Sequence, residues 1–444
     1  MLRLTRYTDE QISCISDEDW DYENINRKLD PESILSRFRP DLRPFETIYR
    51  ELHQNPELSL QEASTATTVA RYPKSLDLEV FEGIGGHGVV ALLRNGAGPT
   101  VLLRADMDAL PIEEKTGLSY SSKKSMRDMD GVLKPVMHAC GHDMHVASLL
   151  ATSKLLHAAR AEWSGTLIFL FQPNEERNGG AKSMVDDGLY EKYVPVPDII
   201  LGQHVTNIRT GAVAIRPGPI LTAADSFDVR VFGKGGHAGA PQNCIDPIVT
   251  ASHIIVRLQS IVSREVDPLE MAIITCGKIQ AGQAGNVITD HVDLKLNVRT
   301  YSSEVREKVL SSMRRIIHAE SDASGVLKSP LIEHIETTPF TINDPEKTRI
   351  LTEAFVEYFG ENLWKMERDT ATEDFDNLAS PRNIPYVYWN FGGTEAAKWD
   401  DANKQGRISE MIPDNHSPFF APAIQPSMRT AVDAFAIAAL TFLD

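Results

Sequence analysis

The sequence predicts an α/β protein in which a mixed-sheet α/β/α domain is interrupted by a smaller α+β sandwich. Short apolar runs alternate with helical patterns before residue 222, and the same texture returns after about residue 342. At 444 residues the chain is too long for one ordinary hydrophobic core. We therefore expect an N-terminal arm (1–40), the first part of the larger domain (41–222), an inserted domain (223–338) and the second part of the larger domain (339–444).

The first part of the chain predicts a succession of helices and strands. Residues 1–40 are acidic with little periodicity, which is typical of a loosely packed arm. Apolar residues recur at helical spacing over 45–52 until Asn55 and Pro56 stop the run, and residues 146–159 predict an amphipathic helix. The apolar runs that predict buried strands are 89–93, 101–103, 167–171 and 199–201.

The pattern changes near Ala223, where the inserted domain is expected to begin. Two strand–helix groups follow: the predicted strands are 227–231, 271–274 and 292–298, and the predicted helices are 247–261 and 305–317. The alternation of strands and helices seen before residue 222 then returns, with a strand at 386–391 and a final helix at 430–442. An insertion between two halves of one domain explains why candidate site residues occur on both sides of it.

Composition excludes several classes of partner. The net charge of −17 argues against nucleic acid or an anionic membrane as the main partner. No apolar run is long enough to predict a membrane span, and residues 1–30 lack the apolar core of a signal peptide. The four cysteines are widely spread, which is typical of a reducing compartment, so we expect a cytoplasmic protein.

Metal-ligand residue types are concentrated around residue 140. Cys140 and His142 lie two positions apart, so a regular helix would point them to different sides. An irregular turn, or the first turn of the following helix, could aim both at one ion. A lone Cys-x-His would more often be structural, but Gly141 and Asp143 strengthen the metal interpretation. We expect the flanking His138 and His145 to lie nearby or at the surface without binding metal.

Acidic residues follow two predicted strands. Asp108 comes after the strand at 101–103, where α/β sheets place their sites, although a solvated loop carboxylate is an alternative. Glu175 and Glu176 come after the strand at 167–171, and adjacent carboxylates repel each other unless a cation or proton compensates them. One could bind a metal while the other acts as general base; a plain acidic surface turn is the alternative.

Four further residues complete the candidate set. His204 follows the predicted strand at 199–201, although by itself it would more often be a core histidine. His237 lies in a glycine-rich turn that could approach a substrate or be a simple hairpin turn. Asn286 precedes a predicted strand, and His416 lies in a loop that Pro418 restrains. We expect the remaining histidines, His53 among them, to be structural or superficial.

Taken together, these motifs resemble the aminoacylase and carboxypeptidase family of di-metal hydrolases. They are similar in particular to the branch that contains hippurate hydrolases, N-acetyl-diaminopimelate deacetylases and plant auxin-amino-acid conjugate hydrolases. Asn174 and Gln242 stand where that family usually has alanine and histidine. The motifs are LHQNPEL (52–58), RADMDALP (104–111), HACGHD (138–143), QPNEE (172–176), GGHA (235–238), NVI (286–288) and HSP (416–418).

The resemblance implies a catalytic domain that carries an inserted lid and dimerisation domain, and therefore a homodimer. It implies that Glu175 is the catalytic base, Asp108 a supporting carboxylate, His237 an oxyanion-stabilising group that often serves the partner subunit, and Asn286 a substrate contact. Two divalent ions are implied per subunit; a thiolate ligand favours Zn²⁺, whereas Mn²⁺ and Co²⁺ stay possible. The ligands implied are Cys140, His142, Glu176, His204 and His416.

The activity implied is hydrolysis of the amide bond in an N-acyl or N-aroyl amino acid, or in a small peptide-like conjugate. The substrate is thus expected to be a small-molecule amide, with neither nucleic acid nor membrane as a partner. Two alternatives stay open: a biosynthetic, amide-forming enzyme on the same scaffold, and a non-catalytic binding protein that kept the fold.

Overall fold

The computed structural model of the chain describes the strand at residues 5–6 and residues 29–443. It divides into two compact units. The first comprises Met1–Ile220, Ile342–Glu367 and Asp374–Asp444, and the second comprises Leu221–Thr341 and Arg368–Glu373. The short segment Arg368–Glu373 thus belongs to the second unit, although the sequence pattern assigned it to the larger domain.

Strands and helices alternate along much of the chain. The strands are β1 Thr5–Arg6, β2 Glu79–Ile84, β3 Gly88–Asn95, β4 Thr100–Asp106, β5 Ser125–Arg127, β6 Leu133–Pro135, β7 Gly165–Gln172, β8 Ile199–Arg209, β9 Val213–Ile215, β10 Gly218–Leu221, β11 Ala223–Phe232, β12 Gly236–His237, β13 Ala272–Ala281, β14 Val287–Ile288, β15 His291–Thr300, β16 Leu331–Thr338, β17 Thr341–Asn343, β18 Leu363–Lys365 and β19 Tyr386–Thr394. The α-helices are α1 Pro31–Phe38, α2 Arg43–Gln54, α3 Ala63–Ser75, α4 His142–Ala158, α5 Gly180–Asp186, α6 Pro247–Ser260, α7 Ser303–Ala323, α8 Pro345–Phe359, α9 Ala396–Lys404, α10 Ile408–Met411 and α11 Ile424–Leu443.

The first unit is built on a nine-stranded mixed sheet with the order β1-β18-β9-β19-β8-β4-β7-β3-β2. Strand β4 runs parallel to both β7 and β8, so the ends of these central strands point to the same edge of the sheet. In the register of β4 with β7, Asp106 lies opposite Gln172. The residues that follow these two strands are therefore brought close together.

Helix α4 lies in the core of the first unit. It packs against α2 and α11, and its buried residues include Ser148, Thr152 and Ser153 as well as the apolar ones. The expectation of an amphipathic helix at this position was therefore wrong, because the helix is enclosed on nearly all sides. It also begins four residues earlier than its apolar pattern suggested, at His142.

Part of the expected N-terminal arm is packed structure. Residues 7–28 lie outside the described part of the chain, but Pro31–Phe38 form helix α1. Asp30 caps this helix by accepting a hydrogen bond from the Ser33 amide, and Ile34 and Leu35 are buried in the core of the first unit. The expectation of a loosely packed arm was wrong for this helix, because its apolar residues pack into that core.

The second unit has its own sheet and its own core. Four antiparallel strands in the order β13-β15-β11-β16 pack with helices α6 and α7 around buried residues such as Phe227, Leu294 and Ile317. A separate two-stranded sheet pairs β12 with β14. Among the residues that the structure describes, no helix combines the length and the apolar character needed to cross a bilayer.

Candidate metal centre

Gly141 shapes the segment that carries Cys140 and His142. Its φ of 85° lies in the left-handed region, and a Cβ atom added there would come within 2.4 Å of Val205 Cγ1. Glycine is therefore needed both for the backbone turn and for the close approach to strand β8. The turn ends where α4 begins, so Cys140 precedes the helix and His142 is its first residue.

Five side chains converge beside this turn. Cys140 Sγ lies 3.4 Å from His204 Nε2 and 3.2 Å from His416 Nε2. Glu176 Oε1 lies 3.4 Å from His416 Nε2 and 3.9 Å from His142 Nε2. The structure thus brings together all five residues that the sequence suggested as metal ligands, although they come from four separate segments of the chain.

Hydrogen bonds select the nitrogen that two of these histidines present to the cluster. His142 Nδ1 lies 2.9 Å from the carbonyl oxygen of Asp108, and His204 Nδ1 lies 2.7 Å from that of Val205. A carbonyl can only accept, so each Nδ1 carries the proton and donates it. In the neutral form of each ring, Nε2 is consequently left with a lone pair directed at the cluster, as metal-binding histidines require.

The spacing and the unsatisfied atoms fit a divalent cation. Within the described residues, His142 Nε2 and Glu176 Oε1 are buried without any hydrogen-bond partner. Buried polar atoms of this kind need a compensating partner. Two ligand atoms bound to one tetrahedral Zn²⁺ lie roughly 3.4 Å apart, which is close to the separations between these side chains.

The electrostatic surroundings also favour a cation. Burial disfavours the charged form of His142, but Asp106, Asp108 and Glu176 outweigh this effect and raise its pKa to about 10. Burial, together with Glu176 and Glu175, raises the pKa of the Cys140 thiol well above its usual value. A bound divalent ion would compensate the carboxylates and make the thiolate accessible.

Asp106 and His145 also lie within this cluster, and each makes hydrogen bonds to other partners. His145 Nδ1 lies 2.5 Å from Asp106 Oδ1, and His145 Nε2 accepts a hydrogen bond from the Val205 amide. The other Asp106 oxygen accepts from Arg104 at 2.6 Å. Because both His145 nitrogens are occupied and each Asp106 oxygen already accepts a hydrogen bond, we assign both side chains a supporting role beside the five candidate ligands. Asp106 had no assigned role in the sequence analysis.

Asp108 connects two of the candidate ligands. Its Oδ2 accepts hydrogen bonds from Ser59 Oγ at 2.7 Å and from the backbone amide of Glu176 at 3.0 Å. Its Oδ1 lies 3.4 Å from Nδ1 of His142. The structure thus places Asp108 against both residues, while its role as a supporting carboxylate stays a prediction. Glu175 is also buried at the cluster, with Oε2 at 4.0 Å from His142 Nε2.

A second buried network is centred on His53, which the sequence predicted to be structural or superficial. His53 Nδ1 lies 2.6 Å from Asp143 Oδ2, and His53 Nε2 lies 3.2 Å from Glu114 Oε1. Burial lowers the pKa of His53, but the two carboxylates outweigh it and raise the pKa to about 9. His138 is also buried, which lowers its pKa to about 4, and neither ring nitrogen has a hydrogen-bond partner among the described residues.

His237 and Asn286 lie in the second unit, where they are neighbours. Strand β12 pairs with β14 so that His237 is opposite Val287, and the Ala238 amide donates to the carbonyl of Asn286 at 3.1 Å. The His237 side chain is exposed and its Nδ1 accepts from the Gly239 amide at 2.9 Å. Because Nδ1 accepts there, neutral His237 carries its proton on Nε2, where it can donate outward.

Comparison with known proteins gives the same family as the motifs. The model of peptidase family M20/M25/M40 matches residues 102–408. The chain is 38% identical to a hippurate hydrolase of Campylobacter jejuni over 350 residues, covering 78% of this chain and 87% of that protein. It is 34% identical to an IAA-amino acid hydrolase of Arabidopsis thaliana over 381 residues, covering 84% and 80% respectively.

Solved structures confirm the fold. A dinuclear metal-binding peptidase of family M20 from Bacillus subtilis superposes with a TM-score of 0.71 and 28% identity, covering 92% of this chain and 98% of that one. The resemblance that the motifs indicated is therefore confirmed, as is the mixed α/β fold class. On these matches, the chain belongs to peptidase family M20/M25/M40 and is a metallo-amidohydrolase.

Proposed function

We propose that this enzyme hydrolyses the amide bond of an N-acyl or N-aroyl amino acid at a centre of two divalent ions. The observation that carries the proposal is the convergence of five ligand side chains beside a further buried carboxylate, Glu175. Relatives named for hippurate and for IAA-amino acids support this class of substrate. The residues that would hold the ions are Cys140, His142, Glu176, His204 and His416.

Bound divalent ions would polarise the substrate carbonyl and lower the pKa of water in the site. The Glu175 carboxylate would take the proton from the attacking water and return it to the leaving amine. Asp108 contacts both the His142 ring and the backbone next to Glu175, so it fixes the position of the proposed ligand relative to the proposed base. Because the His416 side chain is 54% exposed while Glu175 is buried, we infer that substrate enters past His416.

The assignment of Glu175 is tested by Glu175→Gln, which keeps the size of the side chain but removes its basicity. We expect kcat to fall by about 10³-fold, within the range of general-base catalysis, while metal stoichiometry is unchanged. Glu410→Gln, at an exposed glutamate, should leave kcat as in the wild type. Cys140→Ser and His142→Ala should instead lower the metal content measured by elemental analysis. Near wild-type turnover in Glu175→Gln would refute the base assignment.

We propose Zn²⁺ as the native metal, since thiolate is a soft ligand, although Mn²⁺ and Co²⁺ suit the imidazole and carboxylate ligands as well. The test is a hydrolysis screen of N-acyl amino acids and dipeptides with apoprotein reloaded with each metal. We also propose a cytoplasmic location: Cys140, Cys244 and Cys276, the cysteines of the described region, are all unpaired.

We further propose a homodimer formed through the second unit, in which His237 stabilises the oxyanion in the partner's site and Asn286 contacts substrate. Exposed apolar side chains on that unit, such as Ile279 on edge strand β13 and Val256 on α6, support an interface there. If His237 acts across the dimer, exchanging subunits of inactive His237→Ala with inactive Glu175→Gln should restore about a quarter of wild-type activity. No restoration in verified mixed dimers would contradict this arrangement.

A further inference from the structure

The turn that carries Glu175 is held on both sides by buried carboxylates. Before Glu175, the backbone amide of Asn174 donates to Glu62 Oε1 at 2.8 Å. After it, the amide of Glu176 donates to Asp108 Oδ2 at 3.0 Å. Asn174 has a φ of 57°, a left-handed conformation that asparagine tolerates better than most residues but that still requires outside support.

Glu62 reaches this turn from a distant part of the chain, immediately before helix α3. Its Oε1 also accepts from the amide of Leu60 at 3.0 Å, so one oxygen receives two backbone donors. Its Oε2 is buried and, within the described residues, makes no hydrogen bond. The side chain is fully enclosed. Burying an acid in this way costs stability, and this cost demands a compensating role.

Support of the adjacent helix does not supply that role. Glu62 occupies the N-cap position of α3, yet within the described residues its side chain makes no capping hydrogen bond. The acid that serves the first turn of α3 is Glu57, whose Oε2 accepts from both the amide and the hydroxyl of Thr65. Burial and the nearby Asp108 also raise the pKa of Glu62 to about 7, which is a further sign of its unfavourable environment.

We infer that Glu62 is a positioning residue for catalysis, which acts by fixing the backbone of the turn that presents Glu175 and Glu176. This inference rests on the proposed function, in which these two residues are base and metal ligand. Glu62 and Asp108 together hold the amides on either side of the base. A shift of about 1 Å in a catalytic group costs on the order of 100-fold in rate, so loss of one support has a large effect.

The experiment compares Glu62→Met, which keeps the length of the side chain but accepts no hydrogen bond, with Glu62→Gln, which keeps the accepting oxygen. At full metal occupancy we expect kcat to fall about 100-fold in Glu62→Met with KM changed by less than about threefold. Glu62→Gln should recover kcat to within about tenfold of the wild type. Metal content is measured for each variant, so that loss of rate is separated from loss of metal.

Glu57→Met is the matched control, because it also removes a buried acid at the start of α3 but does not touch the turn. It should lower the melting temperature and leave kcat within about twofold of the wild type. Equal kcat values in Glu62→Met and Glu57→Met would overturn the inference, as would a Glu62→Gln variant no better than Glu62→Met. If Glu62→Met does not fold, Glu62→Asp, whose carboxylate falls short of Asn174, takes its place under the same criteria.

Glu175→Gln, assayed in parallel, distinguishes failure of the Glu62 role from failure of the proposed catalytic base. An inactive Glu175→Gln together with a fully active Glu62→Met would overturn the role of Glu62 and leave the proposed base in place. An active Glu175→Gln would overturn the proposed base itself, whatever the Glu62 variants do.

Discussion

At the scale of single residues, the hydrogen-bond partners of each histidine ring decide whether that ring can bind a metal ion at the candidate centre. His142 and His145 lie one helical turn apart on α4, but a backbone carbonyl fixes Nδ1 of His142, whereas Asp106 and the Val205 amide occupy both nitrogens of His145. Two neighbouring histidines therefore have opposite capacities: one is a candidate ligand and the other orients a carboxylate.

His53 gives a prediction about stability and pH. Its pKa of about 9 in the folded protein exceeds the usual value of 6.5, so the folded state holds a proton that the unfolded state releases above pH 6.5. This stabilisation is complete below pH 6.5 and is lost as pH rises to about 9. We expect the free-energy difference between wild type and His53→Gln to shrink by about 3 kcal/mol over that interval.

The measurement is urea unfolding of metal-saturated protein at several pH values between 6 and 9.5. His318→Gln is the control, because that histidine is exposed and its replacement should give a curve parallel to that of the wild type. A His53→Gln curve that is also parallel to the wild type throughout would show that His53 is not charged in the folded protein.

Four of the five candidate ligands could be predicted from the sequence because each is a metal-binding residue type in a short, distinctive motif, whereas His204 was suggested by its place after a predicted strand. The role of His53 could not, because its partners Asp143 and Glu114 lie 90 and 61 residues away in sequence. The residues next to His53 in the sequence predict the end of a helix, but they do not indicate that two carboxylates lie beside its ring. The same holds for Glu62, whose function depends on a backbone amide 112 residues away.

At the scale of elements, the start of α4 depends on Gly141, and Gly141→Ala should disturb it. The left-handed backbone costs an alanine about 1 kcal/mol, and the clash with Val205 Cγ1 adds roughly 2 kcal/mol. We expect a lower free energy of unfolding and a lower metal content, because Cys140 and His142 flank the glycine. Chemical unfolding and elemental analysis measure the two effects.

Gly211 provides a matched control for that substitution. Its φ of 87° is almost the same, but in the described structure a Cβ atom there would meet nothing within 4 Å. Gly211→Ala should therefore lower the free energy of unfolding only by the cost of the left-handed backbone, about 1 kcal/mol, and leave the metal content unchanged. Equal losses in the two variants would show that the contact with Val205 is unimportant.

Strand β8 is longer than the sequence pattern predicts. The apolar run at 199–201 predicted a short strand ending before His204, but β8 continues to Arg209 because β19 pairs with it along most of this length. His204 is therefore a residue within a strand, two positions beyond Gly202, the last β8 residue that pairs with β4. Periodicity detects the apolar part of a strand, whereas its polar continuation depends on a partner strand about 180 residues away.

At the scale of the whole molecule, the change in the pattern of apolar residues near Ala223 reflects a second hydrophobic core. Phe227, Val229 and Val231 alternate toward that core, and this alternation is local enough to be visible in the sequence. The segment Arg368–Glu373 gave no such signal, because it joins the second unit through backbone contacts such as that between the Arg299 side chain and the Thr370 carbonyl. A contact made by a backbone group does not require a particular residue type there, so it cannot be predicted from the sequence pattern.

The chain has two hydrophobic cores, and all five candidate ligands lie in the unit that contains the first of them. Metal removal should therefore affect the two units differently. Binding stabilises the unit that contains the ligands by mass action, about 4 kcal/mol at a thousand times Kd, and contributes nothing to a unit without them. In calorimetry, a chelator should lower the melting temperature of the first unit by about 6 °C and leave the transition of the second unit in place. His142→Ala, already depleted of metal, should show little further change. A chelator that shifts both transitions equally, or a single transition for the whole chain, would show that the two cores do not unfold independently.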